Sequence, residues 1–246
     1  MRTRFCWMLA MLAGALLARG GETVIVIDAG HGGRKDSGSQ EERTLSAANN
    51  ARSAGGLLEK DLTLELAGTV LAEVEKAAKG KVDLRALPTR TEDENPDFGR
   101  RAEIAARAGA QYFVSIHFNA VEPGKHKASG TLGLVQQREK NPNYEADTAF
   151  ARVLAEAVHG VVRRHLPESK LFPVLDDKHL HGGMGSNLFF QLRRQCKTPV
   201  TACFLEVEFL DNPAVEKAIL GPERRAVFEE IATALAAAIV DHCTAK

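Results

Sequence analysis

Two histidines, His31 and His117, each stand at the end of an apolar run that predicts a buried strand. Four consecutive β-branched residues, VIVI, precede the GHGG turn that presents His31, and the run YFVSIH ends in His117. Ligands of open α/β sheets collect outside the carboxyl ends of the strands, so both imidazoles are placed for chemistry. A single histidine in a turn is equally consistent with no chemical role. Two core strands that both end in imidazoles, however, predict a shared metal site.

Two glutamates complete a possible catalytic set. Glu59 lies at the start of a helix predicted from Leu58, where a carboxylate is also the ordinary complement to the helix dipole, so both roles remain open for it. Glu206 lies in an apolar run, where a buried carboxylate is costly unless it pairs with a metal, a cation or a reaction. Three ligands and one open position are typical of catalytic zinc, which lowers the pKa of a bound water to about 7. A second carboxylate would then carry the proton, and Glu206 is the candidate.

The elements around these residues alternate between strands and helices. Apolar residues recur every three to four positions from Leu62 to Val74, which predicts a helix that ends before Gly80. Strands are predicted at 24–31, 82–87, 112–117, 131–137, 188–192 and 200–209, and further helices at 100–108, 148–165 (with Asp147 as N-cap) and 222–240. This alternation predicts a single α/β domain with a mostly parallel central sheet and helices on both faces.

Three polar segments lie between these elements. The stretch 33–56 has little apolar surface, which predicts an exposed loop beside the site, and we expect its part Ser39–Ala54 to be dispensable for folding. Arg90, Asp93 and Arg101 predict a structural ion-pair cluster, with binding of an anionic substrate as the alternative. His179 and His181 lie in a Gly-rich loop without a third ligand nearby, which favours solvated or substrate-lining side chains over a second metal site.

The composition limits the class of partner. The 246 residues are 44% hydrophobic, enough for one sizeable core, and 32 basic residues balance 32 acidic ones. This balance gives no reason to expect a nucleic-acid or anionic-membrane partner.

The amino terminus predicts export. Two arginines precede an apolar run from Phe5 to Ala18, which is typical of a signal peptide covering residues 1–20, with an uncleaved anchor as the alternative. After cleavage we expect no stable membrane insertion. Three cysteines would remain in an oxidising compartment, and Cys196 and Cys203 either form a small disulfide loop or leave Cys203 as plain core.

Several motifs occur together in one order: IDAGHGG, LLEKDLTLELA, PTRTED, RRAEIAARAGAQYFVSIHFNA and LEVEFLDNP. From about Val24 to the carboxyl terminus they resemble the successive motifs of the zinc-dependent N-acetylmuramoyl-L-alanine amidases of the amidase-3 family. The resemblance implies Zn²⁺ held by His31, Glu59 and His117, with Glu206 as the catalytic glutamate. It also implies that residues 21–246 form a zinc amidase catalytic domain that acts on peptidoglycan and is periplasmic or associated with the cell wall.

This chain departs from the family pattern at two points. Glu208 replaces a small residue two positions after Glu206, and depending on the pleat both carboxylates would lie on one face of the strand. The connection between His31 and Glu59 is also longer than the family's. No wall-binding domain or long helical insertion is evident, so we expect a catalytic domain alone. Two other functions remain open: a different zinc-dependent cell-wall peptidase, although HExxH is absent, and a wall-binding protein without activity.

Overall fold

The computed structural model describes residues 21–33, 51–121, 127–178 and 183–245. The predictions for residues 1–20, for 34–50 and for His179 and His181 therefore lie outside the described residues. Along the described chain the strands and helices are β1 (Thr23–Ala29), α1 (Glu59–Ala78), β2 (Leu84–Pro88), α2 (Phe98–Ala108), β3 (Tyr112–Asn119), β4 (Leu132–Val135), α3 (Tyr144–His165), β5 (Leu175–Asp176), α4 (Asn187–Gln195), β6 (Thr201–Phe209), α5 (Pro213–Ile219) and α6 (Arg224–Thr244).

One sheet contains the six strands of the described ranges in the order β2-β1-β3-β6-β4-β5. Strands β2, β1, β3 and β6 run parallel to one another, whereas β4 is antiparallel to β6 and β5 is parallel to β4. The prediction of a mostly parallel sheet is therefore confirmed. Because β1, β3 and β6 are adjacent and parallel, their carboxyl ends meet at one edge of the sheet.

Helices cover both faces of the sheet, as the sequence predicts. On one face α1, α3, α5 and α6 pack around residues such as Ile25, Val114 and Leu205, and on the other α2 and α4 pack around Val26 and Phe113. Among the helices of the described ranges, none combines the length and the apolar character that a membrane-spanning helix needs.

The predicted strand at 188–192 is wrong, because these residues lie in helix α4. The side chain of Ser186 accepts a hydrogen bond from the backbone N–H of Leu188 and caps this helix. Leu188, Phe189 and Leu192 are buried, and this spacing of one and four residues belongs to one face of a helix rather than to a strand.

The predicted cap at Asp147 is also wrong, because α3 already begins at Tyr144. Asp147 is fully buried, pairs with Arg193 of α4 and accepts a 3.0 Å hydrogen bond from the backbone N–H of Ala202 in β6. Its carboxylate therefore ties α3 to two elements that follow much later in the chain. No disulfide joins Cys196 to Cys203, and Cys203 is part of the buried core of β6.

Candidate active site

The three predicted ligands, His31, Glu59 and His117, lie together at the carboxyl edge of the sheet. Glu59 Oε1 is 3.1 Å from His31 Nε2 and 3.1 Å from His117 Nδ1, and the two imidazole nitrogens are also 3.1 Å apart. Zinc with ligand distances of about 2.0–2.1 Å in tetrahedral geometry holds its ligand atoms roughly 3.3 Å apart. Two imidazole nitrogens and a carboxylate oxygen at these separations fit such an ion.

The backbone before His31 is shaped so that the two imidazoles can meet. A Cβ atom added to Gly30 would lie 2.4 Å from the ring of His117, so only glycine fits there. His31 itself has a φ of 61°, in the left-handed region that disfavours residues with a side chain. Such strain concentrates at functional sites, where the surrounding structure fixes it.

Two buried arginines donate hydrogen bonds to the backbone carbonyls of this turn. Arg101 donates to the carbonyl oxygens of Ala29 (2.8 Å) and His31 (2.7 Å), and Arg90 donates to those of Ala29 (3.0 Å) and Gly30 (3.0 Å). Every backbone carbonyl from Ala29 to His31 thus accepts a hydrogen bond from a guanidinium group. The side chains of Arg90 and Arg101 therefore hold the backbone of this turn.

The predicted cluster of Arg90, Asp93 and Arg101 is structural, but its ion pairs differ from the expectation. Arg101 pairs with Asp28 at 2.5 Å, and both side chains are almost fully buried. Asp93 instead pairs with Lys60 and accepts a 2.7 Å hydrogen bond from the backbone N–H of Gly33. The sequence offered no pattern that joins Asp28 to a residue 73 positions later.

Glu59 is held in its ionised form. Burial alone would raise its pKa, but hydrogen bonds and charges from His117 and His31 outweigh burial and lower the pKa to about 2. Glu59 Oε1 also accepts a 3.0 Å hydrogen bond from the backbone N–H of Phe118. This carboxylate is therefore a bound, charged partner of both imidazoles rather than only a complement to the dipole of α1.

The second nitrogen of His117 has its own partner. His117 Nε2 lies 3.1 Å from the hydroxyl oxygen of Ser115, and that hydroxyl donates to the buried carboxylate of Asp28. The ring of Phe204 contacts His117 edge-on at a centroid distance of 5.2 Å. Outer hydrogen bonds of this kind fix the orientation and tautomer of a metal-binding histidine.

Sequence reasoning missed the roles of Ser115 and Asp28. The available signal was that both are polar residues in apolar runs, YFVSIH and VIVIDA, that precede the two histidines.

Glu206 faces the same site from β6, where it lies opposite His117 in the register of β3 and β6. Its Oε2 atom is buried and has no hydrogen-bond partner among the described residues. The pKa of Glu206 is raised to about 7, chiefly by burial. The nearby charge of Glu59 also raises this pKa, whereas the charge of His117 lowers it. A carboxylate that titrates near neutral pH can both take up and release a proton.

Glu208 does not share the site with Glu206. The register of β3 and β6 shifts between His117 and Asn119, so the simple alternation of faces does not continue through this part of the strand. Glu208 is fully buried and accepts hydrogen bonds from the backbone N–H of Gly130 and the hydroxyl of Ser169. Its carboxylate therefore has a structural role next to β4.

The site opens into a cavity of about 370 Å³. The three possible ligands and Glu206 line it together with apolar residues, among them Phe98, Leu134, Leu188 and Phe204. Apolar walls with a few convergent polar groups are typical of a ligand or active site.

The chain before α1 also reaches this cavity. Ala51 lines it, while the hydroxyl of Ser53 and the backbone N–H of Gly55 each donate to the carboxylate of Glu216 at 2.8 Å. The described end of the predicted loop thus borders the cavity as expected. Arg52 and residues 54–56 are exposed, as the sequence predicted. Ser53 is the exception at this end, because it is buried and bonded to Glu216 of α5.

Comparison with known proteins finds one family along the chain. The family model Amidase_3, described as N-acetylmuramoyl-L-alanine amidase, matches residues 25–240. The N-acetylmuramoyl-L-alanine amidase CwlM of Bacillus licheniformis is 38% identical over 96 residues, which are 39% of this chain. The aligned region spans 31% of the length of that relative.

Solved structures resemble this chain over nearly all of its length. The N-acetylmuramoyl-L-alanine amidase AmiC2 of Nostoc punctiforme is 27% identical with a TM-score of 0.62, and the match covers 91% of this chain and 98% of that one. The catalytic domain of CwlV, an N-acetylmuramoyl-L-alanine amidase from Bacillus (Paenibacillus) polymyxa, is 26% identical with a TM-score of 0.60 over 91% and 99% of the two chains. With a family model that matches most of the sequence, the chain belongs to the Amidase_3 family of N-acetylmuramoyl-L-alanine amidases.

Proposed function

We propose that this protein hydrolyses the amide bond between the lactyl group of N-acetylmuramic acid and L-alanine in peptidoglycan. In this proposal His31, Glu59 and His117 bind Zn²⁺, and Glu206 is the general base and acid. Residues 1–20 are a signal peptide, and residues 21–246 are the exported catalytic domain, which acts in the periplasm or at the cell wall.

One observation carries the proposal. Three donor atoms that are 3.1 Å apart share a cavity with a carboxylate oxygen that is buried and has no partner in the described chain. A buried, unbonded carboxylate oxygen costs free energy, and catalysis is a reason for a protein to keep one. A metal site that only stabilised the fold would give no reason for the placement of Glu206.

The chemistry divides between the metal and the side chains. His31, Glu59 and His117 would hold Zn²⁺, which would supply the Lewis acidity that makes water a nucleophile at neutral pH. Glu206 takes the proton from the attacking water and gives it to the leaving nitrogen of L-alanine, so that the peptide leaves as a neutral amine. Phe204 and Leu188 line this cavity with apolar surface, which favours proton transfer between the bound groups over exchange with bulk water.

The test is mass spectrometry of purified peptidoglycan after incubation with the mature protein. We expect free stem peptides that begin with L-alanine, together with glycan whose lactyl groups carry free carboxylates. The Glu206→Gln variant is the matched control, because it keeps the shape of the side chain but cannot act as the base. Shortened stems that remain on the glycan would indicate a peptidase, and unchanged peptidoglycan would indicate a binding protein; either result contradicts the proposal.

A further inference from the structure

A second pocket of about 550 Å³ lies next to the catalytic cavity. Phe98 and Ser186 line both of them, so a single extended ligand could occupy the two pockets at once. We call this second space the flanking pocket. It is formed by residues that follow β4, by the chain that leads into α4, and by the first residues of α2 and α4.

The walls of the flanking pocket are fixed by Asp177. Its carboxylate accepts hydrogen bonds from the backbone N–H of Gln137 at 2.9 Å and from that of Ser186 at 2.6 Å. A Cβ atom at Gly185 would lie 2.7 Å from this carboxylate, so the chain passes as closely as glycine allows. Asp177 is buried, and its charge is used to join the two walls rather than to meet a ligand.

The flanking pocket combines exposed apolar groups with amides. Phe190 is 54% exposed and Met184 is 75% exposed, and both line it. Gln136, Gln137 and Asn187 supply three primary amides, each with donors and an acceptor. The amide nitrogen of Gln137 is buried and has no hydrogen-bond partner among the described residues, which is costly for a protein unless a ligand or water completes it.

The charges of the lining favour a neutral ligand. Lys140 is the one cationic side chain that lines the flanking pocket in the described chain, and it already donates to the backbone carbonyl of Met184 at 3.3 Å. The stem peptide of peptidoglycan carries several carboxylates, and a site for it would need cations or bidentate donors to match them. Sugar rings with hydroxyl and acetamide groups are neutral, have apolar faces that pack on an aromatic ring, and match the amides.

We infer that the flanking pocket binds the N-acetylated sugars of the glycan strand next to the muramoyl residue whose amide is cleaved. This inference rests on the proposed function. The ring of Phe190 packs against the face of a sugar, and Gln137 bonds to its hydroxyl or acetamide group. Binding energy from this remote part of the substrate then positions the lactyl amide at the metal.

The test compares two substrates with the same peptide, one on a single muramoyl residue and one on a tetrasaccharide. We expect the wild type to have a kcat/KM about tenfold higher on the tetrasaccharide, which corresponds to one or two weak contacts. Phe190→Ala and Gln137→Ala should each remove most of this preference and leave kcat/KM on the single muramoyl residue unchanged. Leu171→Ala is the matched control, because Leu171 is also exposed (42%) but does not line this pocket.

A binding measurement separates this inference from the proposed activity. By calorimetry a peptide-free N-acetylated tetrasaccharide should bind the wild type and bind Phe190→Ala about tenfold more weakly. Binding without any release of peptides would contradict the proposed function but support the flanking pocket. The inference is wrong if the wild type shows neither binding nor glycan preference, or if the variants lose activity equally on both substrates. It is also wrong if they lose discrimination between long and short stem peptides instead.

Discussion

At the residue scale, the hydrogen bonds of each side chain indicate which of its atoms is available for chemistry. His117 Nδ1 faces Glu59 and His31, while its Nε2 is next to Ser115, so the ring presents one nitrogen to the other two proposed ligands and the second nitrogen to Ser115. Glu208 has its carboxylate bonded to Gly130 and Ser169, whereas an oxygen of Glu206 has no partner in the described chain. The difference between these two glutamates is therefore one of hydrogen bonding rather than of residue type.

Replacing a proposed ligand tests the proposed metal site directly. In His117→Ala we expect bound zinc, measured by atomic absorption, to fall well below one equivalent and hydrolysis to be lost, because a three-ligand site cannot spare a donor. His165→Ala is the matched control, since His165 lies near the carboxylate of Glu230 and outside the site. Full zinc occupancy in His117→Ala would show that this histidine is not a ligand.

At the scale of secondary-structure elements, the turn after β1 depends on a buried ion pair. Asp28 at the end of β1 pairs with Arg101 of α2, and Arg101 in turn bonds to the carbonyls of Ala29 and His31. Burial alone would raise the pKa of Asp28, but the charge of Arg101 and the hydrogen bonds from Ser115 and Thr89 outweigh it and keep the pKa below its usual 3.8. One carboxylate thus supports both the His31 turn and Ser115.

Asp28→Asn is predicted to destabilise the fold, because it leaves the guanidinium of Arg101 buried without a counter-charge. Breaking one side of a buried pair costs about 3–5 kcal/mol, which urea unfolding at pH 7 would measure. The folded-state pKa of Asp28 is lowered, so its contribution is complete above 3.8 and is lost as the pH falls below that value. The variant should therefore lack this part of the acid sensitivity. Exposed Asp83→Asn is the control, and equal stability of the two variants would contradict the role of the pair.

Sequence patterns predicted the elements whose signals are local. β1, β3 and β6 are apolar runs, α1 has a stripe from Leu62 to Val74, and all four occur where predicted. Asp147 and Leu188 show the limit. The role of Asp147 depends on contacts with Arg193 and β6, which are distant in the sequence. The short apolar run at Leu188 is compatible with either a strand or a helix, and only its packing against α2 distinguishes the two.

In the candidate site, too, features with a local sequence signal could be predicted and features set by tertiary contacts could not. The positions of His31 and His117 at the ends of buried strands could be predicted, because strand ends are readable from apolar runs and turns. The contacts of Asp28, Arg101 and Ser115 could not, because residues from three separate elements meet only in the folded chain.

At the scale of the whole molecule, the cavity is built by distant parts of the chain. β1, β3 and β6 bring the polar side chains to one edge, while α4 and the segment before α1 add walls. Glu216 of α5 holds that segment through Ser53 and Gly55. The connection between His31 and Glu59 is therefore attached to the domain at its described end.

This attachment changes the expectation for replacing Ser39–Ala54 with a short Gly-Ser linker. Removing Ser53 loses its hydrogen bonds with Glu216 and Leu57, worth about 2 kcal/mol, so we expect the melting temperature to fall by about 4–8 °C. A replacement that stops at Asn50 should leave the melting temperature nearly unchanged. Equal melting temperatures for the two linker variants would show that the Ser53 contacts contribute nothing.

The pairing of a metal site with a separate proton carrier is tested most directly by Glu206→Gln. Measured on one preparation, bound zinc should stay at one equivalent while the rate of release of L-alanine peptides falls by about 10²- to 10⁴-fold, the range for a lost acid–base group. Glu208→Gln, measured alongside it, should keep its zinc and most of its rate per folded molecule. An active Glu206→Gln enzyme, or one that has lost its zinc, would contradict the assignment of Glu206 as the base.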